Sequence, residues 1–232
     1  MIQIEWISAI MKAMAYSNPE LIEELIDLGY LKTPALIDAF KAIDRKDFVS
    51  PEMKEYAYQN DPLPIGFEQT ISQPLTVAFM LELLDLRLGD KVLEVGAGSG
   101  WQTALIAKMI EHPGGIAEDK DGRYGVVALE RIDSLAQKAI DNISKYGFSE
   151  RGVSKIINFD GTKGYETEAP FDKIIAAASG SEIPESWKEQ LVIGGRIVAP
   201  IEDSIVVLDK TGKKEFERRE FKGFSFVPLI AG

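Results

Sequence analysis

The spacing of hydrophobic positions changes near residue 90. Upstream they recur at helical intervals: Leu21, Ile22, Leu25, Ile26 and Leu28 share one face, and Leu36, Ile37, Phe40 and Ile43 repeat the stripe. Each stripe follows a start signal. Asn18-Pro19-Glu20 offers an N-cap, a proline at the first helical position and an acid; Thr33-Pro34 repeats it, and Gly29 is placed to stop the first helix. The first sixty residues are therefore expected to be helical. Residues 51–74 carry Pro51, Pro62, Pro64, Gly66 and Pro74. That is too long and too proline-rich for a simple connector, and long ordered loops are usually functional. Leu75 to Leu86 predicts a buried helix.

From Lys91 onward strands and helices alternate. Strands are predicted at 91–95, 125–130, 153–158, 172–178 and 196–200, with helices at 101–111, 132–146 and 184–191. This alternation predicts an α/β fold with a doubly wound, mostly parallel sheet. Ser204–Leu208 and Glu215–Leu229 lose the helices and read as antiparallel edge strands. Residues 111–125 form a polar, glycine-rich insertion, expected to be a surface loop.

Composition narrows the chemistry. A chain of 232 residues fits one large domain, and at this size about 70% of the unfolded surface can be buried without staples. There is no cysteine, which excludes disulfides and thiolate metal sites and fits a reducing compartment. The single histidine, His112, excludes a multi-histidine metal site and sits where an imidazole complements a helix C-terminus. A net charge of -11 with no compensating basic block argues against broad nucleic-acid or anionic-membrane binding. No apolar run approaches the roughly 20 residues of a membrane span, and Met1-Ile2-Gln3-Ile4-Glu5 lacks the layout of a signal peptide. A cytoplasmic monomer is expected.

The most informative stretch is Val92-Leu93-Glu94-Val95-Gly96-Ala97-Gly98-Ser99-Gly100. It reads as a buried strand ending in an acid, then a glycine turn opening a helix at Trp101. Glycine lets the main chain approach a ligand closely, and the helix start presents free N–H groups. The dinucleotide fingerprint G-x-G-x-x-G fails, because Trp101 stands at the third glycine position. A dinucleotide places a pyrophosphate at such a helix start; an acid at Glu94 suits a cationic ligand better. The pattern E-x-G-x-G-x-G resembles motif I of the Rossmann-like, class I S-adenosylmethionine-dependent methyltransferases. Glu94, Gly96, Gly98 and Gly100 are then the expected cofactor turn. A ribose-binding acid is expected at the end of the second strand, about 20 residues on. Spacing alone picks Asp119 or Asp121; context picks Glu130, which ends Val126-Val127-Ala128-Leu129. Asp160 and Gly161, after the third strand, are placed to touch the adenine, although Asp-Gly is also an ordinary turn pair. Trp6, Trp101 and Trp187 read as packing residues.

Upstream, Pro62-Leu63-Pro64-Ile65-Gly66 and Gln69-Thr70-Ile71-Ser72 with Pro74 carry a second, more specific resemblance. Together with Arg45-Lys46-Asp47-Phe48-Val49, Leu129-Glu130-Arg131, Asp160-Gly161, Ala169-Pro170-Phe171-Asp172, Gly194-Gly195-Arg196 and Phe226-Val227-Pro228-Leu229, they make residues 21–229 similar to the protein-L-isoaspartate (D-aspartate) O-methyltransferases. The resemblance implies S-adenosyl-L-methionine as donor, S-adenosyl-L-homocysteine as product, and isoaspartyl proteins or peptides as acceptors. It implies that Gln69, Thr70, Ile71 and Ser72 border the cofactor, that Ser72 orients the acceptor carboxylate, and that Leu75, Val227 and Leu229 meet the peptide. Ser72 could instead cap the helix at Pro74, and Val227 and Leu229 could be edge-strand packing. A single domain over 1–232 is expected: a helical layer (1–60), a substrate and cofactor loop with its helix (61–90), the α/β core (91–201) and edge strands (202–232). Departures from the commonest family pattern fall at Leu75 (often His), Thr76 (Met), Phe159 (Gly) and Ser225 (Arg). They bear on the acceptor more than on fold or cofactor. Two alternatives stay open: the same fold and cofactor with another carboxylate acceptor, or a cofactor-binding paralogue without catalysis.

Overall fold

The structure, a computed structural model, describes residues 17–112 and 125–230. Trp6, the first sixteen residues of the predicted helical layer and most of the 111–125 insertion lie outside the described residues.

The two amphipathic stripes form α1 (Asn18–Asp27) and α2 (Pro34–Ala42). The N-cap of α1 is Ser17, one residue before the expected Asn18; Ser17 Oγ accepts from Glu20 N, while Asn18 Nδ2 donates to the Phe40 carbonyl and ties the two helices together. Gly29 ends α1 as expected, at φ +74°. Thr33 makes no side-chain cap on α2. Glu82 replaces it, accepting from Lys32 N at 2.6 Å and Thr33 N at 2.7 Å. A carboxylate at a helix N-terminus satisfies orphan N–H groups and suits the dipole.

The proline-rich stretch is more structured than its composition predicts. A 3-10 turn at Arg45–Phe48 precedes it; the stretch itself holds another at Pro51–Tyr56, then a hairpin of β1 (Leu63–Gly66) and β2 (Gln69–Ile71). The hairpin is turned by Phe67 and Glu68, both left-handed at φ +54° and +58°. Two-residue hairpin turns usually show Asn-Gly or Asp-Gly there, so no sequence signal announced it. Then comes α3 (Pro74–Leu84), buried on most sides as predicted.

The core follows the predicted alternation: β3 (Val92–Val95), α4 (Trp101–Ile110), β4 (Val126–Glu130), α5 (Asp133–Ser144), β5 (Ser154–Asn158), β6 (Phe171–Ala176), α6 (Glu185–Gln190) and β7 (Leu191–Ile201), then β8 (Ser204–Lys210) and β9 (Phe216–Lys222). The sheet order is β5-β4-β3-β6-β7-β8-β9. Pairing is parallel from β5 through β7 and antiparallel for β8 and β9. Successive residues of β3 face opposite layers: Val92 joins the core under α1–α4, and Leu93 and Val95 join the core under α6. Buried on both faces, β3 and β4 read as continuous apolar runs.

The segment predicted as one strand from Glu215 to Leu229 is a strand only to Lys222. Gly223 turns at φ +98°, and it and Phe224 donate to the Asp203 carbonyl. Phe224 then stacks on Phe79 of α3 at 5.4 Å. This carries residues 224–230 out of the sheet and across the C-terminal ends of the parallel strands.

Candidate active site

The sheet reverses direction of growth between β3 and β6, and ligands of open α/β sheets bind at such a point. A cavity of about 740 Å³ opens there. Its floor is Val95, Gly96 and Gly98; its walls are the β1–β2 hairpin, the residues after β4 and β6, and the 222–230 segment.

Gly96, Gly98 and Gly100 have φ of +90°, +56° and +86°, a path that side chains rarely follow. Gly96 and Gly98 line the cavity. Gly100 does not: it starts α4, and a Cβ there would lie 3.2 Å from the Ala139 carbonyl and Ile143 of α5. It serves helix packing beneath the turn. Trp101 is buried, edge-on to Phe40 at 5.5 Å, and is a core residue.

Glu130 lines the cavity and holds the turn: Oε2 accepts from Gly98 N at 3.0 Å, and Oε1 from Ile132 N at 2.9 Å. Ile132 is the residue before α5, so Glu130 also steadies that helix start, and the carboxylate keeps lone pairs for a ligand. Glu94 lies under the floor, fully buried, and is not in the lining. Gln102 Nε2 donates to its Oε1 at 3.1 Å, whereas Oε2 has no partner among the described residues. Thr103 stands beside the same carboxyl, but its hydroxyl completes no hydrogen bond there. Burial pushes the Glu94 carboxyl up to about 8; Thr103 and Gln102 oppose the rise, and the charge of Glu130 adds to it.

Asp160 turns its side chain to the chain itself, accepting from Thr162 N at 3.0 Å and Thr162 Oγ1 at 2.7 Å. It is absent from the lining, which includes Gly161. A Cβ on Gly161 would sit 2.4 Å from Val95 Cγ1. Gly161→Ala is therefore expected to destabilise the protein by about 1–3 kcal/mol, the usual cost of overpacking, and to weaken ligand binding by displacing Val95. Thermal melts with and without cofactor would test this; an unchanged melting temperature would refute it.

Gln69, Thr70 and Ser72 line the cavity; Ile71, between them, is turned into the core. Ser72 does not cap α3, whose N-cap is Gln73 without a side-chain bond. Among the described residues the Ser72 hydroxyl has no protein partner, while its carbonyl accepts from Arg45. Leu75 lines the cavity with its N–H held by Asn60 Oδ1 at 3.0 Å. Thr76 Oγ1 donates to Gln73 Oε1, and Gln73 Nε2 donates to the Asn60 carbonyl, so Asn60 anchors both departures, Leu75 directly and Thr76 through Gln73. Val227 and Leu229 line the cavity, but their main chains turn to Ser179: the Val227 carbonyl accepts from Ser179 N, and Leu229 N donates to the Ser179 carbonyl, both at 2.8 Å. Ser225 is also in the wall, three residues from Lys222, an exposed cation with no ion pair among the described residues.

Sequence reasoning missed several lining residues: Tyr30 from the helical layer, Ile65 of the hairpin, Ile132, and Ala177-Ala178 after β6. Small and aliphatic residues carry no chemical signal. Ile132 and Ala177-Ala178 could have been suggested only by their place beyond strand ends, whereas Tyr30 and Ile65 reach the cavity from outside the main sheet. Phe159, noted as a departure, lines the cavity edge-on to Tyr165 at 5.4 Å.

A parallel sheet with this switch point, a glycine turn off the first core strand and an acid at the end of the second defines a Rossmann-like α/β protein of the class I methyltransferase type. Solved structures agree. The chain superposes with TM-score 0.76 on a Plasmodium falciparum protein assigned as a protein-L-isoaspartate O-methyltransferase and crystallised with S-adenosyl-L-homocysteine, at 26% identity over 90% of this chain and 96% of that one. Another structure, of a protein-L-isoaspartate O-methyltransferase, gives TM-score 0.77 at 24% identity, covering 93% of this chain and 66% of that one, and supports the fold. Residues 16–232 match the model of the family described as Protein-L-isoaspartate(D-aspartate) O-methyltransferase. The chain belongs to that family. It is 42% identical to the protein-L-isoaspartate O-methyltransferase of Methanopyrus kandleri, over 94% of this chain and 93% of that one. It is 39% identical to that of Ignicoccus hospitalis, over 94% and 99%.

Proposed function

We propose that this protein is a repair methyltransferase that moves a methyl group from S-adenosyl-L-methionine to the free α-carboxylate of L-isoaspartyl residues in damaged proteins or peptides. The observation that carries the reading is the Ser72 hydroxyl, unpartnered within the protein, on the wall of a cavity whose floor is the glycine turn. The site also fits a cationic nucleoside cofactor. Among the described residues, buried Glu94 has an oxygen without a donor, two acids lie at the turn, and the cavity lining carries just two cations, Arg131 and Lys222. Gly96, Gly98, Glu130 and Gly161 would hold that cofactor, with Leu129, Ile132 and Phe159 offering apolar surface to its base.

When bound, the cofactor would supply a methyl group on a sulfonium: a bond from an acceptor carboxylate oxygen to the methyl carbon would form as the carbon–sulfur bond breaks, the electron pair staying on the sulfur of S-adenosyl-L-homocysteine. A carboxylate is ionised at neutral pH, so no base is required of the protein. What these residues contribute is alignment and exclusion of water. Ser72 donates to the acceptor carboxylate and fixes its direction. Leu75, Phe224 and Phe226 give the acceptor side apolar walls, and Lys222 keeps a cation where Ser225 stands in place of an arginine. The protein acts as a cytoplasmic monomer on proteins and peptides, with no nucleic-acid or membrane partner. Its charge of -11 supports the lack of a nucleic-acid or anionic-membrane partner; among the described residues no helix is long and apolar enough to cross a membrane.

Paired peptides, one isoaspartyl and one aspartyl, incubated with methyl-labelled cofactor test the proposal. Labelling of the isoaspartyl peptide alone is expected. Equal labelling would point to another carboxylate acceptor, and binding of cofactor without labelling of any acceptor would point to a non-catalytic paralogue.

A further inference from the structure

Arg45 is the largest charged side chain wholly buried in the described residues, with 0% of its surface exposed. No carboxylate forms a salt bridge with it among those residues. Its partners are carbonyls. Nη1 donates to Ala57 at 2.8 Å and Gln59 at 3.1 Å; Nη2 donates to Asp61 at 2.9 Å and Ser72 at 3.1 Å. The guanidinium lies 5.3 Å from the centroid of the Trp101 ring, the residue that opens α4 directly after Gly100. Burial lowers its pKa to about 9 and Asp61 opposes the fall, so it stays charged at neutral pH.

A buried cation is costly, and an apolar residue of similar size could fill the same volume. What an apolar residue could not do is gather four carbonyls from two separate segments. The planar fork of arginine suits that task; a lysine offers one point charge. One arm of the fork ends on the Ser72 carbonyl, which fixes the backbone from which the Ser72 hydroxyl projects. The guanidinium carbon lies over the ring of Trp101, the first residue of the helix beneath the glycine turn. We propose that Arg45 is a positioning residue, which sets Ser72 against the glycine turn and acts on turnover through the Ser72 hydroxyl. This rests on the reading of Ser72 as the group that orients the acceptor.

The test is a double-mutant cycle of Arg45→Lys and Ser72→Ala, assayed with the isoaspartyl peptide. A misplacement of about 1 Å can cost on the order of 100-fold, so Arg45→Lys is expected to lower kcat by about 10- to 100-fold. Cofactor Kd should stay within about twofold. In the Ser72→Ala background the same change should remove less than about twofold more, since groups acting as a unit are not additive. Multiplicative losses would overturn the proposal while leaving the Ser72 reading intact. A fully active Ser72→Ala would remove that reading first. Arg45→Met, which keeps an unbranched apolar stem but no fork, serves if Arg45→Lys does not fold. Failure of both to fold would assign Arg45 to stability alone and overturn the proposal.

Discussion

Ser72→Ala is expected to lower kcat for isoaspartyl peptides by about 100-fold or more, the scale on which loss of one oriented hydrogen-bond donor is felt in a desolvated site. Cofactor affinity should move by less than about fivefold, since one ordinary hydrogen bond nets about 1 kcal/mol. The separation follows from where the residue stands. Its carbonyl is held by Arg45 and its hydroxyl has no protein partner, so removing the oxygen frees no buried donor and leaves the loop clamped. The loss should be the same from about pH 6 to pH 9, because neither a serine hydroxyl nor an acceptor carboxylate titrates there. Single-turnover rates at saturating cofactor, with calorimetry for binding, measure both quantities. A drop smaller than about fivefold in kcat, or a parallel collapse of cofactor binding, would place Ser72 outside the orienting role.

The strand, turn and helix that make the cavity floor were legible because each uses a strong local rule. Val92–Val95 is buried on both faces, three glycines adopt positive φ, and Trp101 starts a helix. Glu130 was legible for the same reason, as the polar end of an apolar strand. The division of labour within the turn was not. Gly100 packs against α5 and Ile71 enters the core, which depends on neighbours distant in sequence. Asp160 was read toward the ligand, yet its Oδ1 accepts twice from Thr162 and its Oδ2 lies 3.7 Å from Lys163 Nζ. The hairpin that carries Gln69 and Thr70 was invisible because Phe67 and Glu68 occupy conformations normally left to glycine and asparagine. Strain of about 1–3 kcal/mol per such residue persists where the surroundings over-determine it, and here those surroundings border the cavity. The far wall was misread for a simpler reason. A strand pattern from Glu215 to Leu229 cannot show that Gly223 and the Phe224–Phe79 stack pull the chain away from the sheet.

The second large effect is expected at Glu94. Its carboxyl, pushed up to about 8 by burial, is protonated in the folded protein at neutral pH, whereas the unfolded chain releases that proton near the ordinary value of 4.5. Between these values the folded state binds more protons, so stability falls as pH rises from about 4.5 to about 8 and levels off above. The span corresponds to roughly a few kcal/mol. Glu94→Gln keeps the shape and the bond to Gln102 but removes the titration. Its melting temperature should therefore overtake that of the unsubstituted protein as pH rises, with a difference that stops growing above about pH 8. A cationic ligand acts in the opposite direction. It favours the ionised carboxylate, so binding should expel a proton from Glu94, and affinity should improve with pH up to about 8. Glu94→Gln should lose that pH dependence and about 10- to 100-fold in affinity, the range of a charge-assisted interaction. Calorimetry in two buffers of different ionisation enthalpy counts the released proton directly. Identical proton release and parallel affinity profiles in the two proteins would mean that Glu94 holds the floor of the site without sensing the charge above it.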